Sequence, residues 1–176
     1  MITPRLETER LILRPLKISD AQTVYDNWTT DPEVSRYMRW STHSSIEETK
    51  TWLTTAESSL NSEEAYDWGF EFKETGELIG SCGMYVRNDD NIFEIGYCIM
   101  KKYWGKGIAS EVSKAMLEFA INELGERKFY ATHDKDNLAS GKVLEKLGFI
   151  YCNDGEDTSF DGMKTFSTRE YILTLN

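Results

Sequence analysis

Positive charge, histidine and cysteine are all scarce in this chain. Its 176 residues carry 20 Lys or Arg against 30 Asp or Glu, a net charge of −10. A pI near 4.8 leaves too little basic surface for phosphate contacts, which excludes general nucleic-acid binding. No apolar run approaches the ~20 residues that cross a bilayer, so no membrane association is expected. The two histidines, His43 and His133, stand far apart without Cys or carboxylate partners at ligand spacing, so no metal site is expected. Cys82, Cys98 and Cys152 are odd in number, widely spaced and set in apolar stretches, and read as reduced core thiols rather than a disulfide framework. The opening residues, MITPRLETERLILRP, are charged and lack a signal-peptide core, which points to a cytoplasmic protein. Neither GxxxxGK[ST] nor GxGxxG occurs, so the common nucleotide loops are missing.

The remaining composition is that of an ordinary globular protein, 40% hydrophobic and 28% charged. The length suits a single domain over residues 1–176. A chain of this size buries roughly 70% of its unfolded surface, enough to fold without staples. Charge is unevenly spread. Residues 44–94 hold twelve acids and three bases, whereas residues 101–142 hold eight bases and six acids. One region can therefore attract a cation while another tolerates an anion, although a solvated surface without a partner gives the same pattern.

Hydrophobic spacing predicts a mixed α/β fold in the order βααβββαβαββ. Residues 10–16 read as a strand stopped by Pro15, and Ser19 with Gln22 forms a capping-box pair ahead of Ala21, Val24, Tyr25 and Trp28 at helical spacing. Ser45 and Glu48 repeat that signal before a second helix. Alternation at Trp68, Phe70 and Phe72, then over residues 78–87, then at Phe93, Ile95, Tyr97 and Ile99, predicts an antiparallel meander with turns at 74–77 and 88–91. The period then changes. Ile108, Val112, Ala115, Met116 and Phe119 mark an amphipathic helix ending near Gly125. Residues 128–133 form a strand, and Asn137 or a neighbour caps a helix that Gly148 ends. A strand begins at 149–152, the polar stretch 153–162 is expected to be a loop, and residues 165–173 form the last strand.

The segment YCIMKKYWGKGIASE, residues 97–111, carries the most chemistry. A strand runs through a lysine-rich turn and Gly105-Lys106-Gly107 directly into a helix. Glycines admit close backbone approach, and the first helical amides have no internal acceptors, so the junction suits a phosphate or pyrophosphate. A lone GxG is also compatible with a plain tight turn.

The run Lys102-Tyr103-Trp104-Gly105-Lys106-Gly107 resembles motif A of the GNAT superfamily of acetyl-CoA-dependent N-acetyltransferases, Gln/Arg-x-x-Gly-x-Gly/Ala, with Lys102 in place of Gln or Arg. The wording YWGKG, the opening LETERLILRPLKISDA, the segment Thr30-Asp31-Pro32-Glu33-Val34, the strand Glu94-Ile95-Gly96-Tyr97 and the helix from Asn137-Leu138-Ala139-Ser140 to Gly148-Phe149 resemble the Rim-like branch, which acetylates N-termini of ribosomal proteins. The resemblance covers nearly the whole chain. It implies a central, mostly antiparallel sheet of about seven strands with helices on both faces, acetyl-CoA as co-substrate, and direct transfer to a primary amine. It places the pantetheine arm on main chain around Cys98, Ile99 and Met100, and the pyrophosphate on amides of residues 104–109, namely Trp104, Gly105, Lys106, Gly107, Ile108 and Ala109, with Lys102 beside them and Asn137 contacting the arm.

Direct transfer requires that the acceptor lose a proton, that the carbonyl oxygen be stabilised and that the departing thiolate be protonated. Glu94, on the strand face opposite Phe93, Ile95 and Tyr97, is the candidate base, either directly, through water, or as an anchor for the ammonium. A backbone amide near Cys98 or Ile99 is the candidate oxyanion donor. Many GNAT enzymes place a tyrosine on the helix that Asn137 opens; here Leu144 stands at that position, and Ser140, one turn earlier, is the substitute acid and a further contact to the cofactor. The expected acceptor is the N-terminal amine of a ribosomal or other protein. A small amine such as a polyamine or aminoglycoside, and a non-catalytic acyl-CoA-binding module, remain open alternatives, and nothing in the chain chooses between monomer and homodimer. Acceptor specificity is expected in the loops at 37–44 and 153–162.

Overall fold

The protein is described here by a computed structural model covering residues 2–87 and 90–176. Two of the four positions in the expected turn at 88–91 lie outside the described residues. Eight strands form one sheet: β1 Leu6–Glu7, β2 Leu11–Arg14, β3 Ala65–Phe72, β4 Leu78–Val86, β5 Phe93–Ile99, β6 Lys128–Asp134, β7 Ile150–Thr158 and β8 Thr165–Thr174. Their spatial order is β1-β2-β3-β4-β5-β6-β8-β7. Every neighbouring pair is antiparallel except β5 with β6. The helices are α1 Ala21–Val24, extended by a wider turn over Tyr25–Thr29, α2 Pro32–Ser35, α3 Ile46–Ser58, α4 Ile108–Phe119 and α5 Leu138–Lys146.

The mixed, mostly antiparallel architecture agrees with the sequence reading, with eight strands in place of about seven. The additional strand is β1, whose two residues pair with Leu13 and Ile12 and are too few to show a period. The larger correction concerns residues 153–162. Most of the stretch expected to be a loop is the second half of β7, which pairs with β8 as far as Thr158↔Thr165. Its side chains are largely exposed on both faces. Backbone pairing holds it, and the hydrophobic alternation that betrays a half-buried strand is missing. Of the two expected helix starts, the first is shifted: Asp20, not the Ser19–Gln22 pair, accepts the Lys17 amide at 2.9 Å. α3 starts where expected, with Ser45 at its N-cap, and Glu48 reaches past that residue to accept from the Ser44 amide at 3.1 Å and the Ser44 hydroxyl at 2.6 Å.

Apolar residues pack on both faces of the sheet. On one face Leu11, Leu13, Trp68, Phe70, Met84, Phe93, Ile95 and Phe129 meet Val112, Met116 and Phe119 of α4, with Leu144 of α5. On the other, Val24, Trp28 and Leu53 from the α1 to α3 layer cover Leu16, Leu78 and Cys98. Cys82 and Cys98 are buried, as the sequence suggests, but Cys152 is exposed on β7, where its thiol donates to the Glu170 carbonyl at 3.3 Å. Among the described residues no helix is long and apolar enough to cross a membrane.

Candidate active site

The site begins where β5 and β6 part. Their parallel pairing consists of Phe93↔Phe129 and Glu94↔Tyr130. β5 runs on to Ile99 and β6 to Asp134, so the ladder opens into a wedge-shaped gap beyond Glu94. A cavity of about 520 Å³ occupies this region, bounded by Glu94 to Cys98, by Ala131 to Asp134, by Asn137 and Ser140 of α5, and by residues 37–40. A cleft of this size that gathers titratable groups is the default place to look for chemistry.

Alternation along β5 decides which main-chain groups face the gap. The Met100 amide donates to the Ile79 carbonyl at 2.8 Å, on the β4 side. In an antiparallel ladder successive residues direct their backbone groups to opposite sides. Cys98, paired with Ser81, therefore also faces β4, while Tyr97 and Ile99 face the gap. The Ile99 carbonyl accepts the Trp104 indole N–H at 2.8 Å, which leaves the Ile99 amide directed into the opening.

At the far end of β5 the glycine loop enters α4. Gly105 and Gly107 hold φ of +73° and +76°, a left-handed backbone that only glycine adopts without strain. Gly107 is the residue that caps α4. A Cβ on Gly105 would meet nothing within 4 Å, so the loop is open above that residue. The loop is braced from below. Arg10 donates to the Lys106 carbonyl at 3.1 Å and pairs with Glu111 at 2.7 Å, and Thr8 donates to Glu111 at 2.6 Å. Burial acts to raise the Glu111 pKa, but these hydrogen bonds and the Arg10 charge outweigh it and lower it. The Trp104 amide is engaged by the Lys101 carbonyl at 3.1 Å. Lys102 is paired with Glu77, which also accepts from the Tyr103 hydroxyl. Ile108 is buried and contributes its amide rather than its side chain to any contact. The charge on the helix terminus, the two glycines and the open space above Gly105 fit a pyrophosphate, and the gap along β5 fits the extended arm of a coenzyme A thioester.

Glu94 is brought to the cavity on the face opposite Phe93 and Ile95, both of which are buried. Arg39 Nη2 donates to its Oε1 at 2.8 Å, and the same guanidinium pairs through Nε with Asp157 of β7. Burial pushes the Glu94 pKa above the ordinary carboxylate value, against the lowering effect of Arg39. Ser140 lies across the gap, and its Oγ accepts from the Tyr97 hydroxyl at 3.1 Å. Burial raises the Tyr97 pKa and keeps that phenol protonated. Leu144 is buried, as a non-donor should be. Asn137 caps α5, its side-chain oxygen accepting from the Ser140 amide at 3.4 Å.

Arg39, Asp157 and Tyr97 are absent from the sequence-derived site. Tyr97 follows the same alternation as Phe93 and Ile95 and reads as core. Arg39 and Asp157 are more than a hundred residues apart, and nothing local to either announces their meeting. His133 is buried and lines the cavity, with Nδ1 2.7 Å from the Asp134 carbonyl and Nε2 3.4 Å from the Tyr171 hydroxyl. Among the described residues no group of His, Cys, Asp or Glu has an arrangement that could hold a metal ion.

The mouth of the cavity is bridged. The turn joining β7 and β8 reaches the segment after α2: the Phe160 amide donates to the Arg39 carbonyl at 2.8 Å, Lys164 to the Arg36 carbonyl, and the Ser41 hydroxyl to Asp161. The two loops expected to govern acceptor choice are thus clasped to each other.

Comparison with known proteins finds the acetyltransferase (GNAT) domain family matching residues 10–150. The uncharacterized N-acetyltransferase YoaA of Bacillus subtilis (strain 168) is 35% identical over 147 residues, covering 83% of this chain and 82% of its own. RimL, a ribosomal L7/L12 alpha-N-protein acetyltransferase solved in complex with coenzyme A, superposes with a TM-score of 0.82 at 18% identity, covering 99% of this chain and 98% of its own. The microcin C7 self-immunity acetyltransferase MccE, solved with acetyl-CoA and AMP, superposes with a TM-score of 0.83 at 14% identity over 95% and 93% of the two chains.

Proposed function

The chain belongs to the GNAT acetyltransferase family, and on that premise we propose that it transfers the acetyl group of acetyl-CoA to a primary amine, the N-terminal amine of a ribosomal or other protein, with Glu94 and Ser140 as catalytic groups. The observation that carries this reading is the opening of the sheet just past Glu94↔Tyr130, which puts a carboxylate on one side of the gap and the Tyr97–Ser140 hydroxyl pair on the other. Acetyl-CoA supplies an activated thioester whose carbonyl is the site of attack.

The protein's own groups then divide the work. Main-chain amides at the start of α4, from Gly105 to Ala109, together with Lys102 and Lys106, hold the pyrophosphate, and the gap-facing backbone of Tyr97 and Ile99 aligns the arm, with Asn137 beside it. The Ile99 amide is the donor best directed to bear the charge that develops on the carbonyl oxygen. Glu94 takes the ammonium proton, directly or through one water, and its raised pKa makes it a better base than an exposed carboxylate. Tyr97 donates to Ser140 Oγ, which leaves the serine proton free for the departing sulfur. Because the mouth is bridged, an acceptor must enter as a slender chain, which suits a flexible protein terminus and equally a small linear amine.

The test is thiol release from acetyl-CoA by the purified protein, offered N-terminal peptides of ribosomal proteins or small amines. Release with peptides is expected, with a fall of roughly 10²-fold in kcat for Glu94→Gln, in line with loss of a positioned base. Release with small amines alone transfers the reading to that acceptor class. Undiminished turnover in Glu94→Gln removes its role as base, and acetyl-CoA binding without turnover of any amine supports a binding module instead.

A further inference from the structure

Among the described residues four carboxylates line the cavity, and two of them are paired with a cation. Glu94 and Asp157 share the Arg39 guanidinium. Asp134 accepts the Asp136 amide at 2.9 Å. Asp67, on β3, is paired with no cation among the described residues, and its Oδ1 accepts from the Tyr85 hydroxyl. Burial, only partly offset by Tyr85, holds its pKa above the ordinary value. A half-buried carboxylate with no counter-ion beside it offers a cation a charge-assisted partner.

Its placement shows where that something would lie. Asp67 opposes Gly83 on β4, which in turn opposes Gly96 on β5. A Cβ on Gly83 would come within 2.7 Å of Asp67 Oδ1 and 2.9 Å of the Tyr85 hydroxyl, so the carboxylate leans over Gly83 toward β5. A Cβ on Gly96 would meet nothing within 4 Å. Two glycines therefore clear a floor between Asp67 and the start of the gap, and the carboxylate lies about one strand spacing, ~5 Å, from Gly96. Glu94 opposes Tyr85 on the same face, two residues along. An acceptor whose reacting nitrogen sits beside Glu94 thus presents its next atoms to Asp67.

We propose that Asp67 is a specificity-determining residue that binds a second positive charge on the acceptor, so that the favoured substrate is an amine carrying another ammonium or guanidinium within about two residues of extended chain from the reacting nitrogen. This rests on the acetyl-transfer reading above and adds the substrate class. Tyr85 orients the carboxylate, and the absence of side chains at Gly83 and Gly96 gives the cation its path. Arg39 cannot take this place, since both its carboxylate partners lie on the β5 and β7 side of the cavity.

The experiment uses matched acceptors that differ only in the second charge: 1,4-diaminobutane against n-butylamine, and an N-terminal peptide with lysine at its second position against the same peptide with norleucine. Asp67→Asn is isosteric and retains an oxygen for the Tyr85 hydroxyl, so the fold is preserved. The wild type is expected to favour the doubly charged member of each pair by about tenfold in kcat/KM, the scale of one charge-assisted hydrogen bond, and Asp67→Asn to bring that ratio close to one. Tyr85→Phe is expected to reduce it by less. A wild type indifferent to the second charge, or an Asp67→Asn variant slowed equally toward both members, overturns the assignment and leaves acetyl transfer standing. If the wild type acetylates none of the four, the acetyl-transfer reading fails for them, and calorimetry with 1,4-diaminobutane decides the site: binding lost in Asp67→Asn supports it, and absence of binding to the wild type overturns it.

Discussion

The pairing of Arg39 with Glu94 is the contact that opposes burial in setting the proton affinity of the proposed base. A base must be unprotonated to act, and burial raises the Glu94 pKa while the Arg39 charge and hydrogen bond lower it. Removing the guanidinium leaves burial unopposed and moves that pKa further up. The acid limb of the kcat/KM profile is therefore expected to shift to higher pH in Arg39→Ala and to return part of the way in Arg39→Lys, as measured with any accepted amine; a limb that does not move means another group sets it. At this scale the sequence was legible wherever a residue's role depends on its own strand or helix. Glu94, read from its own strand, and Ser140, carried over by resemblance, line one cavity. The pairing of Arg39 with Asp157 was not legible, because the two residues are remote in the chain, and a surface arginine or aspartate looks alike in sequence whether or not it folds inward.

Among the elements, the junction of β5 with α4 joins conformation to binding. Gly107 caps α4 at φ +76° and borders the space left for an anion. Gly107→Ala places a Cβ in the left-handed region, so it is expected to lower stability by roughly 1 kcal/mol, read by denaturant unfolding, and to weaken acetyl-CoA, read by calorimetry. A stability loss with unchanged affinity would show that the loop is only a turn. Elements with a strong period were readable in advance: α4 from Ile108, Val112, Ala115 and Met116, and β3 to β5 from their alternation. β7 was not, since its sequence, IYCNDGEDT, has no buried face and is fixed by its ladder with β8, interrupted by a register shift between Tyr151 and Asn153. The start of α1 is displaced by one residue, to Asp20, whose carboxylate rather than the Ser19 hydroxyl serves the amides there, whereas α3 starts after Ser45 as its sequence indicates.

On the scale of the whole molecule, the chain is a GNAT acetyltransferase with a net charge of −10. Such a surface attracts cations over a distance that salt shortens, from a Debye length of about 30 Å at 0.01 M to about 10 Å at 0.1 M. Raising ionic strength across that range is expected to lower kcat/KM for a lysine-bearing peptide severalfold while leaving kcat nearly constant; an equal fall in kcat would place the effect on chemistry rather than encounter. The sheet itself has an uneven backbone continuity. β1 to β5 form one raft and β6 to β8 another, and the two are moored by a ladder of two residue pairs, Phe93↔Phe129 and Glu94↔Tyr130. Beyond those two pairs the strands are not in register with each other, and the rafts are joined instead by side chains of one core, in which Met84, Phe93 and Ile95 share a cluster with Phe129 and Leu144. The raft with Asp67, Tyr85 and Glu94 lies on one side of the gap and the raft that carries α5 on the other, so a molecule seated in the gap bridges the two and adds to a boundary where the backbone supplies only two pairs.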